Sequence, residues 1–176
     1  MTKEPLYYGS MDSPFGPLTI ARTSEGVCRI MFGSIEESNS TLKIWMKKYL
    51  QKDELIFDET TLIPVYEQLT DYFNEERQTF DFELDMYGTP FQLKVWEALQ
   101  EIPYGETYSY KDVAQAIHAP KAVRAVGCAV NKNPLPIVIP CHRVIGSNGS
   151  LVGYNGGLDK KETLLGIEHA LEHVML

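Results

Sequence analysis

The sequence predicts a mixed fold of the α+β class (α/β in the wider sense), divided into two domains, residues 1–88 and 89–176. Short alternating segments separated by Pro- and Gly-containing turns fill the first third of the chain, which indicates a small antiparallel sheet. From Thr89 onward, helix-capping sequences precede successive apolar periodic segments, which indicates a mostly helical second domain. A chain of 176 residues is long enough for two such domains.

Three segments of the N-terminal domain alternate as strands do: residues 6–9, 17–22 and 27–32. Ser24-Glu25-Gly26 predicts a hairpin turn between the last two. Residues 61–74 carry apolar side chains at helical spacing, and residues 81–85 alternate as in a further short strand. Because this half does not concentrate nucleophiles, bases or metal ligands, we interpret it as a scaffold.

The C-terminal domain begins with a capping box at residues 89–92, Thr-Pro-Phe-Gln. A second capping box at residues 109–112 predicts a short helix, and Pro120 predicts the start of another helix that runs to about Asn131. Two short helices joined by a tight turn are typical of a helix-turn-helix motif. A helical hairpin that serves only for packing is the alternative.

Charge is distributed unevenly along the chain. The formal net charge is −8, which resides in residues 1–88, whereas residues 89–176 are neutral overall. Residues 111–161 carry a net charge of +5, and the second helix of the pair is basic, with Lys121, Arg124 and Lys132. A locally positive segment on an acidic protein can follow nucleic-acid phosphates. A run of solvated lysines without a partner is the alternative.

The chain contains three cysteines, an odd and sparse number without the spacing of a disulfide framework or a zinc cluster. We interpret two of them, Cys28 and Cys128, as core residues. The N-terminus lacks the apolar core of a secretory signal, and no apolar run is long enough to span a membrane. The sequence therefore predicts a soluble protein of the reducing cytoplasm without a membrane association.

The third cysteine, Cys141, ends an apolar segment, residues 133–140, in which three prolines restrict the backbone. His142 follows it directly. A thiol reacts as its thiolate, and a neighbouring imidazole can accept the proton. We therefore interpret Cys141 as a candidate nucleophile, with a buried and inert cysteine as the alternative.

A carboxylate that could orient the histidine lies in the last predicted helix, for which Asp159 is the expected N-cap. On the helical wheel Glu168 falls between Leu164 and Leu165, in the middle of the apolar face. A carboxylate directed into an apolar face is costly unless it is paired, so we expect His142 to be its partner. A glutamate at the edge of the face that reaches solvent is the alternative.

Between the nucleophile and this helix, residues 145–158 include five glycines. A segment of this kind can form a pocket wall where the backbone approaches a ligand closely. It has no Walker pattern and no GxGxxG sequence before a helix, so nucleotide-phosphate binding is not indicated.

Together these motifs resemble those of the O6-alkylguanine-DNA alkyltransferases, also called methylated-DNA–protein-cysteine methyltransferases. The run Pro140-Cys141-His142-Arg143-Val144 is similar to the signature of that family. Further segments of the C-terminal half carry the resemblance: residues 88–92, 95–96, 102–105, 120–127, 133–134 and 156–157, and Glu168. It is looser in the N-terminal half, where residues 13–18 carry it.

The resemblance implies direct-reversal DNA repair. Cys141 would take the alkyl group from O6 of guanine, and less efficiently from O4 of thymine, in a single irreversible transfer per molecule. His142 would deprotonate Cys141 through a bound water, and Glu168 would hold the imidazole. Asn133 would brace the nucleophile segment, and Tyr110 would donate a proton to the departing base. No cofactor is implied.

The implied partner is alkylated double-stranded DNA, bound by a monomer through the minor groove and largely independently of sequence. Because the target atom is unreachable in a stacked duplex, the nucleotide must be flipped out, and Arg124 matches the arginine that fills the vacated space. The other residues expected at the DNA are Tyr110, Lys121, Ala122, Ala125 and Arg143. The residues expected around the base are Val144, Tyr154, Asn155, Gly156 and Pro136.

Two positions depart from the family pattern. Asn155 stands where a number of relatives carry a small residue such as serine, which affects the tolerance of bulky adducts. The N-terminal half lacks the cysteine and histidine set that binds zinc in some relatives, so no structural metal is expected.

Two other functions remain as alternatives. A DNA-binding lesion sensor without chemistry resembles this family, but such proteins have a non-nucleophile in place of the cysteine. A cysteine hydrolase that uses Cys141 and His142 would leave the basic helix unexplained.

Overall fold

The computed structural model describes residues 4–175. The chain divides into two compact units, the first ending at Tyr87 and the second beginning at Gly88. A small sheet in the first unit and a predominance of helices in the second confirm the predicted fold class. No helix in the described part of the chain is both long and apolar enough to cross a membrane.

The first unit is built on a four-stranded sheet with the order β3-β2-β1-β4. Its strands are β1 (Leu6–Ser13), β2 (Gly16–Arg22), β3 (Val27–Phe32) and β4 (Leu55–Phe57). The first three form the predicted antiparallel meander, and β4 pairs with β1 in parallel. Strand β1 extends beyond the predicted residue 9, because it pairs with β2 up to the two-residue turn at Pro14 and Phe15. Gly16, directly after that turn, has a φ of +87°.

Two helices accompany the sheet, α1 (Ile35–Tyr49) and α2 (Ile63–Phe73). Helix α2 was predicted, whereas α1 was not. Helix α1 begins at a capping box in which the Ser34 side chain accepts from the Glu37 N–H and the Glu37 carboxylate accepts from the Ser34 N–H. Its buried face packs in one cluster with the sheet: Leu42, Trp45 and Met46 with Leu6, Ala21 and Cys28.

Residues 81–85, predicted as a strand, meet the sheet at only one isolated parallel bridge, between Leu84 and Val27. The Val27 N–H donates to the Glu83 carbonyl over 3.0 Å, and the Asp85 N–H donates to the Val27 carbonyl over 2.8 Å. Because the segment touches the sheet at the first residue of β3 and does not run along that strand, the prediction of a further strand was wrong.

The helices of the second unit are α3 (Pro90–Leu99), α4 (Tyr110–Ala116), α5 (Val123–Asn131) and α6 (Leu158–Ile167). Two short strands, β5 (Tyr108–Ser109) and β6 (Val144–Ile145), pair in parallel. The capping boxes predicted for α3 and α4 are both present. Helix α3 supports α5, since the Trp96 indole N–H donates to the Ala129 carbonyl over 2.9 Å.

The tight turn between α4 and α5 depends on His118, whose φ is +58°. The Ala119 N–H donates to the Ala114 carbonyl over 2.9 Å, so α4 ends in a Schellman motif with a histidine at the left-handed position. Helix α5 begins at Val123 and not at Pro120, because the Ala122 N–H closes a separate turn onto the Ala119 carbonyl. The pair nevertheless has the predicted helix-turn-helix order.

Helix α6 differs from its prediction at both ends. Its N-cap is Gly157, at φ +100°, and not Asp159. It ends at a second Schellman motif, in which His169 has a φ of +56° and the Ala170 N–H donates to the Leu165 carbonyl over 2.9 Å. Glu168 is therefore the C-cap residue, and the chain beyond it forms a separate 3-10 turn, Leu171–His173.

Candidate active site

Cys141 begins a 3-10 turn, Cys141–Arg143, that follows the proline-containing segment. Asn133 holds this segment from within: its Nδ2 donates to the Ile139 carbonyl over 2.8 Å, and its Oδ1 accepts from the Leu135 N–H over 2.9 Å. The Cys141 N–H donates to the same Ile139 carbonyl over 2.8 Å. Asn133 and Cys141 are both buried. Hydrogen bonds from the Asn133 side chain and from the Cys141 N–H therefore fix the backbone that leads to the thiol.

The same segment contains an unusual backbone conformation. Ile137 has a φ of +76° and is buried. A β-branched residue rarely occupies the left-handed region, and the conformation costs on the order of 1–3 kcal/mol. The surrounding packing and the Asn133 hydrogen bonds therefore hold a strained loop directly before the nucleophile.

His142 and Glu168 form the predicted pair. Nε2 of His142 lies 2.7 Å from Oε2 of Glu168, and both side chains are fully buried. Because a carboxylate only accepts, Nε2 carries the hydrogen and the lone pair of a neutral imidazole is on Nδ1. Among the described residues, no group forms a hydrogen bond with that buried Nδ1 atom.

Arg143, predicted to contact DNA, is instead part of this buried cluster, and that prediction was wrong. Its Nε donates to Glu168 Oε1 over 2.7 Å, its Nη2 to Glu168 Oε2 over 3.0 Å, and its Nη1 to the Ile102 carbonyl over 2.6 Å. Only 7% of the residue is exposed. A guanidinium engaged on both edges in the interior cannot reach a phosphate, and here it helps to fix the Glu168 carboxylate.

These contacts define the charge states of the cluster. Burial raises the pKa of the Cys141 thiol to about 11, against opposing effects of an Asn133 hydrogen bond and the Lys161 charge. Burial also lowers the pKa of His142, an effect that Glu168 partly reverses. Burial alone would raise the pKa of Glu168, but His142 and Arg143 hold it well below its usual value. At neutral pH the cluster therefore contains a thiol, a neutral imidazole and a carboxylate.

Lys161 was not predicted to be part of the site, yet it is fully buried on α6. Its Nζ donates to the carbonyl oxygens of Val144, Val152 and Gly153. Lys161, Leu164, Leu165 and Glu168 follow the i, i+3, i+4, i+7 spacing of one helix face, and this spacing was the available signal. Lys161 and Arg143 are both interior residues, so the exposed charge of residues 111–161 is smaller than the sequence predicts.

Helix α5 presents one row of residues to solvent: Lys121 just before it, then Arg124, Ala125 and Cys128. Ala122 is half-buried beside them. The opposite face, Val126, Ala129 and Val130, is buried. Cys128, predicted as a core residue, is exposed, because it is on the outer face of this helix. Cys28 is buried, as predicted.

A cavity of about 430 Å³ opens beside helix α5. Its lining residues are Tyr110, Val123, Arg124, Gly127, Cys128, Asn131, Ser147, Val152 and Gly153. The Tyr110 hydroxyl donates to the Val152 carbonyl over 2.7 Å. Burial, and secondarily the proximity of Cys141, raises the pKa of Tyr110, so this hydroxyl is protonated at neutral pH. The structure thus brings two predicted site residues, Tyr110 and Arg124, to one cavity, which we call the α5 cleft.

The residues predicted around the base occupy two environments. Val144 and Pro136 are buried, and the Val144 carbonyl accepts from Lys161. Tyr154 and Gly156 are half-buried, whereas Asn155 is exposed. Burial, with smaller effects of Cys141 and Glu168, raises the pKa of Tyr154. Within residues 4–175, no group of three or more His, Cys, Asp or Glu side chains is placed to hold a metal ion.

Comparison with known proteins identifies the family. Residues 6–86 match the family model described as 6-O-methylguanine DNA methyltransferase, ribonuclease-like domain, and residues 90–170 match the DNA binding domain of the same family. A methylated-DNA–protein-cysteine methyltransferase of Methanosarcina acetivorans is 44% identical over 93% of this chain and 98% of its own length. The constitutive methylated-DNA–protein-cysteine methyltransferase of Bacillus subtilis is 46% identical over 92% of this chain and 94% of its own.

A solved structure of a relative supports the same family assignment. The crystal structure of Mycobacterium tuberculosis OGT in complex with DNA has a TM-score of 0.79 and 40% sequence identity, and covers 96% of this chain and 94% of that one. Both units have a matching family model, and the relatives are matched over nearly their whole length. The chain belongs to the 6-O-methylguanine DNA methyltransferase family.

Proposed function

We propose that this protein repairs alkylated DNA by direct reversal, through irreversible transfer of an alkyl group from O6 of guanine to its own Cys141. The observation that carries the proposal is the buried cluster of Cys141, His142 and Glu168 in a chain of this family. O4-alkylthymine is a second, less efficient substrate. In enzyme classification the activity is that of a methylated-DNA–protein-cysteine methyltransferase, the name of the curated relatives.

The transfer is a nucleophilic substitution at the alkyl carbon. A bond forms between Sγ of Cys141 and that carbon, and the bond between the carbon and O6 breaks. The thiol proton leaves to the enzyme, and the base takes up one proton as it departs. The product on the protein is a thioether, which no step of this reaction reverses, so each molecule acts once.

His142 is the acceptor of the thiol proton. With its pKa raised to about 11, Cys141 contains little free thiolate at neutral pH, so the proton must leave as the new bond forms. Nδ1 of His142 has its lone pair available, because Nε2 is directed at Glu168. We propose that a bridging water carries the proton to Nδ1, and that Glu168 stabilises the imidazolium.

Tyr110 is the proton donor to the departing base. It lines the α5 cleft, and its raised pKa keeps the hydroxyl protonated at neutral pH. A neutral guanine leaves more readily than its anion, so a donor at this position lowers the barrier. Asn133 supports the reaction indirectly, by fixing the segment that ends at Cys141.

DNA binds along the exposed row of helix α5. Arg124 and Lys121 provide positive charge, and Ala122 and Ala125 are small enough for the helix to approach the backbone closely. The nucleotide is flipped out, and Arg124 fills the vacated space. The flipped base is held by Pro136, Val144 and residues 154–156, Tyr-Asn-Gly. We propose a minor-groove contact that is largely independent of sequence, made by a monomer.

Residues 89–176 then form the DNA-binding and alkyl-acceptor domain, and residues 1–88 form a scaffold domain. Cys28, Cys128 and Cys141 are all free thiols. Thiols that must stay reduced suit a reducing compartment, so we propose that the protein acts in the cytoplasm.

The test is a mass measurement on the protein after incubation with duplex DNA that carries O6-methylguanine. We expect a gain of one methyl group per molecule, mapped to Cys141, with Cys28 and exposed Cys128 unmodified. The Cys141→Ala variant should bind the same DNA and gain no methyl group. Repair of more than one equivalent of lesion, or repaired DNA with unmodified Cys141, contradicts the proposal.

A further inference from the structure

Lys161 has no exposed surface, although an ammonium group is among the least favourable groups to bury. It shares the buried face of α6 with Glu168. Its hydrogen-bond partners are three carbonyl oxygens. In the described part of the chain, no carboxylate forms an ion pair with it. Carbonyl dipoles stabilise the ammonium group but do not neutralise its charge as a carboxylate would. The charge can therefore still shift the pKa of neighbouring groups.

The three carbonyls belong to segments that the proposed reaction uses. Val144 directly follows the 3-10 turn that bears Cys141. Val152 accepts a hydrogen bond from Lys161 and another from the Tyr110 hydroxyl. Val152 and Gly153 also line the α5 cleft. One ammonium group therefore contacts both the segment that follows Cys141 and the wall of the α5 cleft. In that wall it shares the Val152 carbonyl with the Tyr110 hydroxyl.

We propose that Lys161 is a positioning residue for the transfer, whose charge stabilises the Cys141 thiolate as it forms and whose hydrogen bonds hold the cleft wall. This inference rests on the proposed transfer to Cys141. The forming thiolate is an anion in the interior, where a fixed positive charge nearby has a large effect because little water screens it.

The titratable groups around Lys161 support this role. The 3-10 turn packed against α6 contributes Cys141, His142 and Arg143, and the Arg143 charge is paired with Glu168. The Tyr110 ring centre lies 6.0 Å from the Lys161 ammonium. A second element beside α6, the turn Leu171–His173, carries Glu172 and His173, whose side chains lie 3.8 Å apart at the surface. The Lys161 charge lowers the pKa of Cys141, which favours the forming thiolate. It also lowers the pKa of His142, as the smallest of the effects on that group, and there Glu168 opposes it.

This arrangement gives the transfer rate a distinctive pH dependence. Burial lowers the pKa of Lys161 to about 8. Below that pH the resting protein holds a protonated Lys161, a Cys141 thiol and a neutral His142. Moving the thiol proton to His142 changes no proton count, so the rate is flat. Above about pH 8 the resting protein has lost the Lys161 proton that the transition state needs, so the rate falls, approaching tenfold per pH unit.

The experiment measures single-turnover methyl transfer from pH 6.5 to 10, with the protein in saturating excess over a duplex carrying one O6-methylguanine. The variants are Lys161→Met, which removes the charge at similar volume, and Lys160→Met, a matched charge removal on the partly exposed neighbour. We expect Lys161→Met to lower the rate at pH 7 by about tenfold to a hundredfold and to abolish the fall above pH 8. Lys160→Met should retain the wild-type rate and profile.

A Lys161→Met profile that matches the wild type in rate and shape overturns the role of Lys161. If that variant does not fold, Lys161→Gln replaces it, because glutamine keeps a hydrogen-bond donor and removes the charge, and a wild-type rate and profile in that variant overturn the role in the same way. Failure of the wild type to place a methyl group on Cys141 at any pH rejects the transfer itself, which is a separate outcome.

Discussion

The two units of this protein bury different kinds of polar side chain. Among the described residues, those buried in the first unit are small and uncharged: Thr19, Thr23 and Ser38. Those buried in the second unit are Asn133 and four titratable or charged groups, His142, Arg143, Lys161 and Glu168. Buried charges are costly even when paired, and a stable domain can replace them by apolar residues. The difference indicates that the first unit is built for stability and the second for chemistry.

The two buried cysteines make the same contrast on a smaller scale. Burial, and secondarily the nearby Asp85, raises the pKa of Cys28 to about 12. Its thiol donates to the Ala21 carbonyl across the sheet, over 3.5 Å. Burial raises the pKa of Cys141 as well, but Asn133 and Lys161 oppose that rise. Positive charges lower the pKa of both thiols, Arg29 and Lys52 that of Cys28 and Lys161 that of Cys141. Burial alone therefore does not distinguish the two thiols; the Asp85 carboxylate near Cys28 and the Asn133 hydrogen bond at Cys141 do.

The largest difference between the two units is expected when Glu168→Gln in the second unit is compared with Leu42→Ala in the first. The quantities compared are the free energy of unfolding and the rate of methyl transfer. Loss of the Glu168 charge leaves Arg143 buried without its counter-ion, which should lower the free energy of unfolding by about 3–5 kcal/mol. It also removes the support of the imidazolium, so methyl transfer should fall on the order of a hundredfold. Leu42→Ala should cost about 2–5 kcal/mol through its cavity and leave the transfer rate unchanged below its melting temperature. Thermal melting measures the stability of each variant, and single-turnover kinetics measure its rate of methyl transfer.

The same pair of variants has a pH signature. The pKa of Glu168 is lowered on folding, so its contribution to stability is complete above its unfolded pKa of 4.5 and is lost as the pH falls below that value. The wild type and Leu42→Ala should therefore lose stability on acidification with the same slope, and Glu168→Gln with a shallower one. Equal slopes for all three would show that the buried carboxylate does not distinguish the second unit.

Arg124→Ala is expected to have a smaller and more selective effect. If Arg124 fills the space left by the flipped nucleotide, its loss should slow transfer from duplex DNA by about tenfold to a hundredfold, because flipping costs a few kcal/mol. Transfer from free O6-benzylguanine, which needs no flipping, should be unchanged. Arg77→Ala, at a partly exposed arginine of the first unit, is the control and should alter neither rate. Equal losses on both substrates for Arg124→Ala would count against the flipping role.

Local signals in the sequence predicted a large part of this structure. The capping boxes at Thr89 and Ser109 begin helices where expected, because their hydrogen bonds are made within four residues. The wheel position of Glu168 predicted its burial, and the cost of an unpaired buried carboxylate predicted the contact with His142. Helix α1 was missed although its capping box is equally local, since the polar residues 36–41 separate Ile35 from the apolar residues that begin at Leu42.

Contacts between distant segments account for the errors. Arg143 is adjacent to a basic-looking segment, and only the fold shows that its guanidinium reaches Ile102 and Glu168. The Schellman motif at His169 that makes Glu168 a C-cap has no glycine to reveal it. For Cys128 the wheel of α5 was available, but which face packs depends on Trp96 of another helix. Tertiary context decides these cases, not local preference.

The smallest effect is expected from single surface lysines, and it tests the division between the units most directly. Lys121 precedes α5 in the second unit, and Lys43 is an exposed lysine on α1 in the first. If Lys121 contacts a phosphate, Lys121→Ala should weaken binding of undamaged duplex uniformly and reduce the slope of log K against log salt by about 0.9. Lys43→Ala should leave that slope unchanged. Since each variant removes one positive charge, a change in net charge alone would shift both equally, so an equal reduction would count against a specific contact between Lys121 and a phosphate.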